Sequence, residues 1–149
     1  MKRSGLTTTE HRRGGASRPV FMYSKMPRFT FVRNLNRPDL SPARVRYCDS
    51  FLCRLRGLTF RKRLDPDDGL LLVQGQRDSR IDSSIHMLFV PFDLNVVWIN
   101  TDMIVVDKVI AKPWRPAYFS AKPACYILEI HPDRWEDYQI GDKVEFQDV

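Results

Sequence analysis

From Arg28 onward the chain falls into short apolar runs separated by turn-forming residues. Phe29, Phe31 and Leu35, with Thr30 and Arg33 between them, predict a first strand, and Ala43 to Tyr47 alternates with Arg44 and Arg46 to predict a second. Asn36 to Pro42, with two prolines, is the loop between them. Asp49-Ser50 then precedes Phe51, Leu52, Leu55 and Leu58, which share one helical face, and Gly57 stands where a helix of about two turns stops. Leu70–Val73, Ser83–Leu88, Phe92–Asn100, Met103–Val109, Cys125–Ile130 and Lys143–Phe146 read as further strands, and Pro132 opens a helical turn through Tyr138. Phe92–Val109, turning at Asn100-Thr101-Asp102, is the clearest hairpin and the expected centre of the fold. Many short strands and little helix predict a mainly β protein, a small β-sandwich or barrel with one or two short helices.

Composition sharpens this picture at a few points. With 149 residues, 43% of them hydrophobic and 28% charged, the chain has ordinary globular usage and the size of one domain. The apolar runs extend over four or five residues, where a spanning helix needs roughly 20, so no membrane span and no apolar leader is expected and the setting is read as cytoplasmic. The three cysteines form no Cys-x-x-Cys pair. They are read as small buried reduced thiols, with neither a disulfide framework nor a metal site, and no cofactor is called for.

The formal charge of +6 is unevenly spread. Residues 1–63 carry 16 Lys/Arg against three acids, and residues 64–149 carry eight against 15. Much of the basic excess lies in a Ser/Thr/Gly/Arg-rich stretch, so residues 1–25 are expected to be a flexible basic tail ahead of a single β domain over 26–149. Met22 and Met26 are alternative starts, and beginning at Met26 would remove six of those basic residues. Nucleic-acid binding through this arm is therefore ranked last among the functional readings.

Several motifs occur in a fixed order: Arg54-x-x-Gly57-Leu58-x-x-Arg61-x-x-Leu64, Gly69-Leu70-Leu71-Leu72, Ser84-Ile85-His86-Met87, Phe92-x-Leu94-x-Val96-Val97, Lys112-Pro113-Trp114-Arg115, Leu128-Glu129 and Gly141-Asp142. In this the chain resembles the domain of unknown function 192 family, small prokaryotic β domains, over about Val32 to Phe146. The resemblance implies a fold more firmly than a function, because it brings no established reaction. The chain departs from the family pattern at Asp93-Leu94-Asn95-Val96, where an amide replaces the usual carboxylate, and after Glu129, where Ile130-His131-Pro132-Asp133-Arg134 lacks the usual glycine turn.

Candidate chemistry is sparse. His86, between apolar neighbours, is either a hydrogen-bonded structural residue or an acid, base or ligand. Glu129 interrupts the run Tyr126–Ile130. It is either bridged to an arginine of the Arg54–Arg61 segment or forms the floor of a polar pocket. Trp114, held between prolines and beside Arg115, either stacks on a ligand or lids the end of the fold. No Gly-x-Ser-x-Gly, phosphate loop or metal-ligand spacing is present. The expectation is thus a binding module for a small polar or anionic ligand, or for a protein partner, using Arg54, His86, Trp114, Arg115 and Glu129. A hydrolase using His86 as base is the second reading.

Overall fold

The computed structural model describes residues 28–75 and 81–149. The tail expected at residues 1–25 lies outside them. Seven strands form one mixed sheet: β1 (Phe29–Asn34), β2 (Ala43–Cys48), β3 (Gly69–Val73), β4 (Leu94–Ile99), β5 (Val105–Ala111), β6 (Tyr126–Ile130) and β7 (Val144–Asp148). Their spatial order is β5-β4-β6-β3-β2-β1-β7. A six-residue helix, α1 (Phe51–Arg56), and a 3₁₀ turn at Pro132–Asp137 complete the regular structure. The protein is mainly β.

All neighbouring pairs are antiparallel except β2 and β3, whose parallel register sets Arg46 beside Leu70 and Cys48 beside Leu72. A parallel pair needs a crossover connection, and α1 with the segment up to Asp68 supplies it. The sheet curls so far that its edges touch at one end. Val105 N–H donates to the Asp142 carbonyl at 2.9 Å, and Gly141 N–H donates back to Val105 at 2.8 Å. One sheet bent back on itself, neither a two-sheet sandwich nor a fully closed barrel, is therefore the architecture.

Both faces of the middle strands are buried. All seven strands contribute to one apolar cluster, which holds Val32, Val45, Leu71, Val97, Leu128, Ile130 and Val144 with Tyr138. The Tyr138 hydroxyl donates to the Val32 carbonyl at 2.8 Å, and burial pushes its pKa up to about 12. The opposite face of β3, β4 and β6 carries Leu70, Leu72, Leu94, Val96, Trp98 and Ile127, covered by Leu58, Leu64, Ile85, Met87 and Val90 from the connections. This double burial explains why β4 is apolar at nearly every position (Leu-Asn-Val-Val-Trp-Ile) instead of alternating.

Several details differ from the sequence reading. In β1 the fully buried side chains are Thr30, Val32 and Asn34, while Phe29 sits half-exposed under the Arg44 guanidinium, 4.0 Å from its ring. Residues Ser83–Leu88 form no strand. They make a turn and a single bridge, Ile85 to Tyr118, because Trp98 Nε1 takes the Ser83 carbonyl and the chain must then fold over the sheet. The Phe92–Val109 ribbon forms as β4 and β5, but β5 is an edge strand, and β6 and β3 hold the middle. In α1 no residue is buried: Phe51, Leu52 and Leu55 are exposed, and only Leu58 beyond the helix end enters the core.

The cysteines also differ from expectation. Cys48 and Cys53 form a disulfide, and Cys125 is a buried free thiol. Ser50 caps α1, its hydroxyl accepting from Cys53 N–H at 3.2 Å, and this tight turn from β2 into the helix brings the two Cα atoms to 5.6 Å, inside the range a disulfide requires. The bond anchors α1, which has no buried side chain of its own, to the end of β2.

Candidate functional site

Register places Glu129 on the loop-covered face of the sheet. It stands opposite Leu70 of β3 and Val96 of β4, and Arg46 of β2 continues the same row beyond Leu70. β6 approaches β3 closely because residue 69 is glycine. A Cβ there would lie 2.8 Å from the Glu129 carbonyl oxygen and 2.9 Å from Ile130 Cγ2. Glu129 is thus held on a central strand of the sheet, beneath the covering segments.

Those segments leave a gap above it. A cavity of about 60 Å³ lies between α1, the following turn, the Ser84–Val90 segment and the sheet. Its polar lining comprises Arg54, Thr59, Gln74, Ser84, His86 and Glu129, set among Leu55, Leu58, Leu72, Ile85, Met87, Val90 and Leu94. At about 10–15 Å³ per water-sized group, the volume suits a ligand of roughly four to six heavy atoms.

Glu129 is only 6% exposed. Its carboxyl has no hydrogen-bond or ion-pair partner among the described residues, and burial alone pushes its pKa up to about 7. The expected bridge to an arginine of the Arg54–Arg61 segment is not formed. Arg54 Nη1 donates to the Val73 carbonyl at 2.8 Å, and Arg61 pairs with Asp68. Arg46, nearest along the row, is itself pushed down in pKa by burial and by Arg61, and its Nε is buried without a partner.

Arg54, His86 and Glu129 meet at this cavity; Trp114 and Arg115 do not line it. His86 stays at the exposed rim, since its neighbours Ile85 and Met87 turn inward and are held by the Tyr118 and Arg115 carbonyls. Trp114 packs its edge against Phe89 at 5.5 Å, and Phe89 stacks on Phe60 at 5.0 Å. All three aromatics carry positive φ, near 60°, which is uncommon for bulky side chains. Asn95, the position that departs from the family pattern, projects to the opposite face. There its Nδ2 donates to the Arg134 carbonyl at 3.1 Å, so the substitution does not touch the cavity. Thr59 and Gln74 were not among the candidates from sequence. Short polar side chains in turns carry no signal of direction until the turns are placed.

A family model for DUF192, described as Uncharacterized ACR, matches residues 33–146. The chain belongs to the domain of unknown function 192 family. A UPF0127 protein of Pyrococcus furiosus is 36% identical over 104 residues, 68% of this chain and 85% of its own length. Two solved structures share the family-like fold. A protein of unknown function from Novosphingobium aromaticivorans DSM 12444 matches with a TM-score of 0.67 at 21% identity, covering 95% of this chain and 99% of that one. A Sinorhizobium meliloti 1021 protein described as a candidate transcription regulator matches with a TM-score of 0.67 at 20% identity, covering 80% and 92%. At such identities the likeness is one of fold. Among the described residues no helix is long and apolar enough to cross a membrane, and no three His, Cys, Asp or Glu side chains cluster as metal ligands.

Proposed function

We propose that this domain of unknown function 192 protein is a binding module whose cavity takes a small polar ligand, with Glu129 as the buried anchor and Arg54 and His86 nearer the opening. The observation that carries the reading is the solitary carboxyl. Burying a polar group without a partner costs a few kcal/mol, and here the group lines a cavity of ligand size. A hydrogen-bond donor brought by a ligand would remove that cost.

The test is a thermal-shift panel of small amines, amino acids, hydroxy acids, polyols and phosphates on the wild type and on Glu129→Gln. A ligand present at about 100 times its Kd stabilises by about 2.7 kcal/mol. At least one class should raise the wild-type melting temperature and lose the effect in the variant. A panel with no shift, or with equal shifts in both proteins, overturns the proposal.

The enzymatic alternative is favoured by one observation, the Glu129 pKa near 7, since a general base works best when poised near the operating pH. In that reading Glu129 replaces rim-exposed His86 as the base, and Glu129→Gln abolishes turnover while His86→Ala retains it. The cytoplasmic setting read from the sequence is weakened by the Cys48–Cys53 bond, because disulfides persist mainly in oxidising compartments. Trapping of thiols by alkylation in intact cells would decide between the compartments.

A further inference from the structure

Two opposite charges share the cavity and leave each other alone. Arg54 and Glu129 both line it, yet among the described residues Glu129 makes no ion pair and Arg54 has no acidic partner. A buried carboxylate ordinarily pairs with a cation that lines the same space, because an uncompensated buried charge is costly. The reason they do not is positional. Glu129 stands opposite Leu70 in the β3–β6 ladder, whereas Arg54 is tied by one of its nitrogens to the carbonyl of Val73. Three residues along β3, at about 3.3 Å each, separate these anchor points by roughly 10 Å.

A dipolar ligand, with an ammonium at one end and a carboxylate at the other, suits two opposite charges held apart in this way. The remaining Arg54 donors can take a carboxylate, which a guanidinium binds with two parallel hydrogen bonds. Leu72, Leu94 and Ile85 add apolar lining to the same cavity. We propose that the cavity binds a small zwitterion, an α-amino acid with a short side chain or a compound of the same charge pattern, with its ammonium on Glu129 and its carboxylate on Arg54. This rests on the binding reading above and names the ligand class for it.

The proposal carries a pH signature. The ammonium needs Glu129 ionised, and burial has pushed that carboxyl up to about 7. Binding therefore displaces a proton and strengthens as pH rises, by about 100-fold between pH 5 and pH 8 for a carboxyl of that pKa. The other charged groups around Glu129 are Arg54 from α1, His86 from the Ser84–Val90 segment and, along its own row, Arg46 from β2. The variant of Glu129 isolates the contribution of its carboxyl from theirs.

The experiment compares L-alanine, propylamine, propionate and L-lactate by calorimetry on the full chain at pH 5 and pH 8. L-Alanine should bind at least about tenfold more tightly than either single-charge analogue, since each charge-assisted hydrogen bond adds a factor of that order. Arg54→Met should reduce L-alanine to the level of propylamine, and Glu129→Gln should remove the pH dependence. If propylamine or L-lactate binds as well as L-alanine, the zwitterion assignment falls while the cavity remains a ligand site. If none of the four binds and the wider panel is also silent, both fall. A pH dependence that survives in Glu129→Gln overturns the assignment of the ammonium to Glu129.

Discussion

Arg54 of α1 and Glu129 of β6 line one cavity without pairing, because Arg54 is held at the Val73 end of β3 and Glu129 at the Leu70 end. This arrangement leaves a carboxyl that is uncompensated in the folded state and hydrated in the unfolded one. Its consequences reach stability as well as binding.

Stability should fall as pH rises through neutrality. The folded-state pKa of Glu129 lies near 7 against 4.5 for the unperturbed group, so the folded protein holds the proton more tightly than the unfolded chain. The contribution is most favourable below about pH 4.5 and is lost progressively up to about pH 7. The full loss is about 3 kcal/mol. Glu129→Gln, neutral throughout, should lie within about 1 kcal/mol of wild type at pH 5 and be more stable by up to about 3 kcal/mol at pH 8. Urea denaturation at both pH values checks it, and a wild-type advantage at pH 8 would reinstate an ion pair.

The Cys48–Cys53 bond closes a short loop between β2 and α1. Loop-closure entropy for so few residues is worth about 2 kcal/mol. Cys53→Ser should lower stability by about that amount in oxidising buffer, and a reductant should lower the wild type to match. Equal denaturation midpoints with and without reductant would show that the bond contributes nothing.

Gly69→Ala should destabilise by about 2 kcal/mol, within the usual cost of overpacking. The added Cβ would meet the Glu129 carbonyl and Val45 Cγ1, each at 2.8 Å, in the middle of the sheet where the backbone has no room to retreat. Thermal melting compared with Gly141→Ala, which adds a Cβ into open space at positive φ, separates steric clash from backbone strain.

Trp114→Ala should leave ligand-induced thermal shifts unchanged. The ring belongs to the exposed Phe60–Phe89–Trp114 stack, away from the cavity lining. Loss of those shifts in this variant would move the site to the aromatic stack.

The strand pattern was legible where one physical rule governed it. β3 and β6 follow from apolar runs and β2 and β7 from alternation, each bounded by turn residues, and α1 follows from Ser50 as cap and Gly57 as stop. The reading of Ser83–Leu88 failed because alternation there comes from a segment laid over the sheet, with Ile85 and Met87 turned inward and His86 outward. Such a segment and a strand have the same pattern of buried and exposed positions. For the disulfide, a five-residue separation was visible, but only the turn after β2 makes it close.

Composition and periodicity by themselves determined that this chain is mainly β, where most strands begin and end, and that Glu129 interrupts an apolar run. These depend on local backbone preferences and on the two-residue repeat of a strand. Whether Glu129 meets an arginine, which connections roof the sheet, and that Arg54 and His86 share its cavity while Trp114 does not, were decided by strand order and by the path of the covering loops. Those are contacts between residues far apart in the chain, and no local preference encodes them.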